Sequence, residues 1–306
     1  MKRTNPARQF DVCAVGHITW DCIVSPTLRT RIPGGTAYYG AVALARLGLE
    51  TAVVTRLAGK DREALIRPLE RLGVRVFNFE SAETTFFENV YEGGARGTRT
   101  QKVHALAEGF VPEHVEGVSA RMFLLGPLTN TDMPLSLFRS VKRPDNRIAV
   151  DVQGMLRRVS GHSVESAVWG DKLEALRCID VLKADDREAR SLTGENELGK
   201  AMRRIAEYGV REVLVTLGSQ GALSLCEGRE VRIPAFEPRR LVDTTGCGDT
   251  FLAGYLFGRH RSMGVREAGL TAAALAALKA EVLGPFQGSA RDLTRFSLTA
   301  PGLIPC

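Results

Sequence analysis

Short apolar runs alternate with amphipathic stretches along most of the chain. Phe10 to Val15 (FDVCAV) is apolar, partly β-branched and ends at Gly16, the pattern of a buried strand. Gly34-Gly35 opens a segment in which Ala41, Leu44, Ala45 and Leu47 recur at helical spacing, and Gly48 stops it as a helix-terminating glycine does. Thr51 to Leu57 reads as a second strand, Asp61 as the cap of a helix reaching Leu72-Gly73, and Val74 to Phe79 as a third strand. From Thr84 the rhythm changes. TTFFENVY, EGGARG and TRTQKVHA look like two exposed strands around a Gly-rich turn. The alternation then resumes, with strands at 121–125, 147–152, 179–182 and 213–217 and helices at 134–141, 187–192 and 198–208. Gly221 to Ile233 reads as a hairpin turning at Glu227-Gly228. A helix after Gly248 and an Ala-rich one over Val265 to Val282 follow.

This order predicts the α/β class: a doubly wound, mostly parallel sheet with helices on both faces. In such sheets ligands bind beyond the carboxyl ends of the strands. The 306 residues carry no internal repeat or low-complexity linker, which favours one large domain with a small β-rich satellite over two equal halves. At 44% hydrophobic and 25% charged residues, whole-chain disorder, collagen and coiled coil are excluded.

No apolar run approaches the ~18 residues needed to span a bilayer. The greasiest stretch, Ala272 to Leu278, ends at Lys279 and reads as one face of a buried helix. The polar start, MKRTNPARQFD, has no apolar core of a secretory signal, so the reading is cytoplasmic with no membrane partner. Six cysteines without C-x-x-C or zinc spacing read as free thiols. The net charge of +6 is scattered as short pairs such as Arg157-Arg158 and Arg239-Arg240, with no nucleic-acid motif beside them. No nucleic-acid partner is expected; a mild positive bias suits ligands that carry phosphates.

The chemistry concentrates in Asp243-Thr244-Thr245-Gly246-Cys247-Gly248-Asp249-Thr250-Phe251. Gly246 and Gly248 let successive backbone N–H groups turn one way, and the helix behind adds partial positive charge at its start. That makes an anion hole from the amides of Gly246, Cys247 and Gly248, suited to a phosphoryl group in flight. Asp249, on the first helical turn, is placed to accept a proton from an attacking hydroxyl. G-x-G-D alone is more often an ordinary helix cap; the nine-residue run at a loop-to-helix junction reverses that reading.

The run closely resembles the C-terminal signature of the PfkB, or ribokinase-like, family of carbohydrate and nucleoside kinases, with Cys247 where the pattern usually has Ala. The resemblance extends from Gly16 to the final helices and implies a ribokinase-like fold with a small β lid formed by about 22–33 and 84–105. It implies ATP and Mg²⁺ as cofactors and a small polyhydroxylated substrate. It also makes a homodimer through lid strands plausible. Asp21, five residues after Gly16, matches the carboxylate that binds substrate hydroxyls, and Gly34-Gly35 matches the glycine pair that lets backbone approach the sugar. Tyr39 stands where the family often has a substrate-contacting Asn, and with Tyr38 it could stack a ring. Thr216, Gly218, Ser219 and Gly221 resemble the T-x-G-x-x-G nucleotide loop, and Thr245 and Lys183 join them on the nucleotide side. Asp185 and Glu188 stand where the family has N-x-x-E, implying a role in organising the metal. Asp151 and Arg157 are further candidates, for a hydroxyl and a phosphate. Cys247 would place a thiol beside the phosphoryl site, open to protection by bound nucleotide.

The lid and the D-V-Q-G stretch look most similar to the inositol-kinase-like and generic sugar-kinase branches; a nucleoside kinase is the alternative. Two other classes carry less. A non-catalytic kinase-like binder would be expected to lack the base, which is present. A dinucleotide oxidoreductase would need G-x-G-x-x-G after the first strand, where Gly16-His17-Ile18 stands instead.

Overall fold

The computed structural model describes residues 9–92 and 98–299; the expected Gly-rich turn at 93–97 lies outside them. The chain begins with β1 (Gln9–Val15), β2 (Thr19–Ser25), β3 (Leu28–Gly34), α1 (Thr36–Arg46), β4 (Thr51–Leu57), α2 (Arg62–Arg71) and β5 (Arg75–Glu80). It continues through β6 (Phe86–Glu92), β7 (Thr98–Ala105), β8 (Ser119–Leu125), α3 (Leu135–Val141), β9 (Arg147–Asp151), β10 (Arg157–Ser160), β11 (Ser163–Ser166) and α4 (Lys172–Leu176). The remainder is β12 (Val181–Asp185), α5 (Asp186–Thr193), α6 (Leu198–Glu207), β13 (Glu212–Thr216), β14 (Ala222–Cys226), β15 (Arg229–Ile233), α7 (Cys247–His260), α8 (Val265–Ala280) and α9 (Ala290–Thr299).

Nine strands form the main sheet in the order β15-β14-β13-β12-β9-β8-β1-β4-β5. The pairs from β13 to β5 are parallel, and the β14–β15 hairpin closes one edge antiparallel. Period-two alternation divides each strand between two cores. Val12 and Ala14 of β1 face the cluster with α1, α2, α7, α8 and α9, whereas Cys13 and Val15 face the cluster with α3, α4, α5 and α6. That is why the parallel strands read as continuous apolar runs. The chain winds outward from β1 to β4 and β5, then returns to β8 on the other side of β1. The order reverses at that point, and a crevice opens there at the carboxyl ends of the strands.

The six-stranded second sheet has the order β10-β11-β7-β6-β2-β3. It takes in both segments expected of the small β unit. It also recruits a hairpin, β10–β11, that the sequence pattern did not reveal, joined to β7 through the single pair Ser163–Lys102. Arg157 therefore starts a strand of this sheet. Asp61 departs from expectation too. It ends a short 3₁₀ turn and makes no side-chain cap for α2.

Candidate active site

A cleft of about 680 Å³ lies between the carboxyl end of the main sheet and the underside of the second sheet. It runs from Asp21 past Asp249 to Gly218 and Gln220. The 243–249 loop forms its floor. Asp243 holds the loop from below: its Oδ1 accepts from the Thr245 amide at 2.9 Å, and its Oδ2 accepts from Lys279 Nζ at 2.8 Å. Lys279 is 0% exposed, and also donates to the Asp243 carbonyl at 2.8 Å. The charge at the end of the Ala-rich run is thus a buried anchor for the loop. Gly246 has a φ of 75°, and a Cβ there would lie 2.4 Å from the Tyr39 ring. Only glycine fits both that backbone and that neighbour.

The loop amides are not equivalent. Cys247 N–H donates to the Thr244 carbonyl at 3.2 Å, closing the turn. Those of Gly248 and Asp249 fall in the first turn of α7, where a helix offers no earlier carbonyl. The Cys247 thiol also departs from expectation. It faces the Ala276 and Asp243 carbonyls at 3.7 and 4.0 Å, and does not line the cleft. Burial pushes its pKa up to about 11.

Beside this floor sits a buried ion pair, Lys183 Nζ to Asp151 Oδ2 at 2.8 Å. A Cβ on Gly248 would be 3.0 Å from Lys183 Nζ, so the ammonium abuts the loop. Burial opposes the Lys183 charge, but Asp151, Glu188 and Asp249 outweigh it and its pKa is raised. Asp249 is pushed up to about 6, first by burial and then by Asp151, while Lys183, the Thr36 hydroxyl and Arg157 pull it back. A carboxyl poised near neutrality in a cleft fits a proton acceptor.

Asp185 and Glu188 form a reciprocal capping box at the start of α5. Asp185 Oδ1 accepts from the Glu188 amide at 2.7 Å, and Glu188 Oε2 accepts from the Asp185 amide at 2.8 Å. Glu188 Oε1 is buried without a hydrogen-bond partner, with Arg157 Nη2 4.0 Å from it. Burial raises the Glu188 pKa, against Lys183. Among the described residues no three His, Cys, Asp or Glu side chains form a metal cage. Mg²⁺ commonly keeps waters and takes only one or two carboxylates plus phosphate oxygens, so the spare oxygen of Glu188 and the neighbouring Asp185 fit it.

At the other end, Asp21 is 7% exposed and accepts from Thr19 Oγ1 at 2.8 Å. A Cβ on Gly34 would overlap its carboxyl at 2.3 Å, so the first glycine of the pair makes room for this carboxylate. Tyr39 lines the cleft and its hydroxyl is buried without a hydrogen-bond partner. Tyr38 packs into the core, and Gly246 lies against the Tyr39 ring.

Asp21, Gly35, Tyr39, Asp151, Arg157, Lys183, Asp185, Thr216, Gly218, Thr245, Gly246, Gly248 and Asp249 all line the one cleft. Gly34, Glu188, Ser219, Gly221 and Cys247 are not among its lining residues. The second sheet adds groups that sequence reading missed. Phe87, Asn89 and Tyr91 alternate along β6 on one face, and Gln101 comes from β7. Tyr91 Oη lies 2.7 Å from Thr245 Oγ1, a direct bond between second sheet and floor. The period-two spacing of Phe87, Asn89 and Tyr91 was visible in the sequence; which face met the cleft was not.

A sheet switch point carrying a glycine loop, a helix start, a buried lysine and an aspartate defines a phosphotransferase that acts on an alcohol group. The chain belongs to the pfkB family of carbohydrate kinases, whose family model matches residues 10–289. A cytidine kinase from Thermococcus kodakarensis is 27% identical over 267 residues, 84% of this chain and 91% of that protein. A fructokinase from Klebsiella pneumoniae is 25% identical over 246 residues, 74% of this chain and 76% of that one. Among solved structures, a pyrophosphate-dependent kinase in the ribokinase family, complexed with a pyrophosphate analog and myo-inositol, superposes with a TM-score of 0.80. It is 27% identical, with 93% of this chain and 99% of that chain covered. The chain is a ribokinase-family sugar or nucleoside kinase, and the expected fold class is the one found.

Proposed function

We propose that this kinase transfers a phosphoryl group from ATP to a hydroxyl of a small sugar or polyol, with the second sheet as a lid over the reaction. The carrying observation is Asp249. Its carboxyl, titrating near 6, lies in the same cleft as Asp21, beside Lys183 and the open start of α7. Asp21 accepts hydrogen bonds from acceptor hydroxyls and orients the acceptor. Asp249 takes the proton of the attacking hydroxyl as the new P–O bond forms and the bond to the diphosphate leaving group breaks. Lys183 and the amides of Gly246 and Gly248 stabilise the charge on the moving phosphoryl group. The Cys247 amide is left out, because it already closes the turn with Thr244. Asp185 and Glu188 would hold Mg²⁺, which when bound neutralises phosphate charge.

Asp249→Asn tests this reading. Turnover should fall by about 10²–10⁴, the usual share of general-base catalysis, with donor binding kept. Near-normal turnover would rule out the role. A second reading concerns the donor. The donor end is lined by Thr216, Leu217, Gly218, Gln220 and Thr244, with Leu217 its one large apolar side chain among the described residues. The pyrophosphate-dependent neighbours make pyrophosphate the alternative donor. Parallel assays with ATP and pyrophosphate, read as phosphorylated acceptor, separate the two.

A further inference from the structure

We propose that His17, together with Asp132, forms the joint that seats the second sheet over the cleft when the acceptor binds, which makes His17 a positioning residue for the transfer; the inference rests on the kinase reading above.

Segments that carry the second sheet meet around this ring. Gly16 to Ile18 is the passage from β1 of the main sheet to β2 of the second, and Asp21 lies four residues beyond His17. His17 is 1% exposed. Its Nδ1 lies 3.4 Å from the Arg56 carbonyl oxygen on β4, and its ring centre lies 4.6 Å from that of Phe110, on the stretch that follows β7. A Cβ on Gly35 would be 2.2 Å from the His17 carbonyl oxygen, so the passage from β3 into α1 presses on the same residue. Asp132 is equally buried and gathers the other side. Its Oδ2 accepts from the amides of Leu128 and Thr129 at 2.7 and 3.2 Å, and its carbonyl accepts from the Phe110 amide at 2.7 Å. Within the turn so held, the Asn130 amide donates to the Arg157 carbonyl at 2.8 Å, where β10 begins.

The two side chains are close but not joined. His17 Nε2 stands 3.8 Å from Asp132 Oδ1, too far for a hydrogen bond, and is buried without a hydrogen-bond partner. A buried nitrogen left unpaired costs free energy, so a state in which it finds a partner is favoured. A carbonyl only accepts, so Nδ1 carries the hydrogen toward Arg56, and neutral His17 turns a lone pair toward the carboxylate. An approach of roughly 1 Å, with a proton on Nε2, completes an Nε2–H···Oδ1 bond. That approach draws the 16–18 passage, which leads to Asp21, against the 128–132 turn, which holds the Arg157 backbone. Asp21 and Arg157 both line the cleft. An acceptor that prefers the seated arrangement therefore gains from the new bond, and the bond gains from the acceptor.

The test uses the full chain with whichever of myo-inositol, ribose, fructose and cytidine it phosphorylates from ATP or pyrophosphate. His17→Phe keeps a ring against Phe110 and removes both nitrogens. It should raise the acceptor KM about tenfold, the worth of one hydrogen bond, and leave the donor KM within about twofold. His17→Gln, whose amide can turn an N–H toward Asp132, should recover most of that loss. In an Asp132→Asn background His17→Phe should cost little more, because the two residues act as one contact. Unchanged KM values, equal rises for acceptor and donor, no recovery by Gln, or losses that multiply in the double variant overturn the joint and leave the kinase reading standing. Should His17→Phe fail to fold, ¹⁵N-histidine spectra of the native protein decide, with His17 assigned by its loss in His17→Gln. Its Nε2 should change from lone-pair to N–H character when the acceptor saturates the protein, and not with donor alone. An unchanged resonance overturns the joint. No turnover with any of the four acceptors, in protein that binds a donor, overturns the kinase reading and the joint with it.

Discussion

The floor of the cleft and the β6–β7 face of the second sheet are built from opposite materials. The floor holds two ion pairs out of water: Lys183 with Asp151 and Lys279 with Asp243. The β6–β7 face offers amides, a phenol and a phenyl ring, while the charges that the second sheet brings to the cleft, Asp21 and Arg157, stand near the starts of β2 and β10. Buried charges are expensive to hold in place, so they appear where a phosphoryl group must be met by a fixed field. Neutral groups can read an acceptor by hydrogen bonds and still release its product.

If that division is real, damage to the floor should exceed damage to the lid. Lys279→Met leaves Asp243 buried and unpaired, and should destabilise the fold by about 3–5 kcal/mol, read from denaturant midpoints. An unchanged midpoint would remove Lys279 as the loop's anchor. Lys183→Met should cost about 10²–10³ in turnover with a smaller change in acceptor KM, as expected for loss of one transition-state donor. A pure KM effect would move Lys183 from the floor's chemistry to binding.

The pH dependence follows from Asp249. A base that titrates near 6 should make kcat/KM fall about tenfold per unit below that pH. The same raised pKa has a stability sign. The folded protein holds the proton more tightly than the unfolded chain, whose Asp titrates near ~3.9, so stability is lost as pH rises between those values. Asp249→Asn should therefore be more thermally stable than the native protein at pH 8, with the gap closing below about pH 4. Equal melting temperatures at pH 8 would contradict the buried, charged carboxylate. The smallest effect belongs to the lid. Tyr91→Phe removes the bond to Thr245 and should lower turnover by only about 2–10-fold, the worth of one ordinary hydrogen bond. A hundred-fold loss would place Tyr91 with the floor.

The floor was also the more legible half. Asp243 to Asp249 and the strands feeding the crevice could be read in order, because backbone turns and parallel strands impose local patterns. Asp151 meets Lys183 only through the pairing of β9 with β12, a contact between residues far apart in the chain. Lys279 could be seen interrupting an apolar helix, yet nothing in its neighbours announced Asp243. The β10–β11 strands are four residues each, polar on the outside and paired to β7 at one position, too little periodicity to register. Asp185 and Glu188 were recognisable as a unit; that they cap α5 with one oxygen each, leaving the second oxygen of each outside the box, required coordinates.

The Tyr39 ring wedged against left-handed Gly246 couples two positions far apart in the chain. A library that shrinks residue 39 to enlarge the acceptor pocket also withdraws support from beneath the phosphate-facing turn. Activity lost in such a library will be misread as poor fit of the new acceptor. A methyl group at 246 fails twice, on its backbone angle and against the ring, so trimming the tyrosine repairs half of the defect.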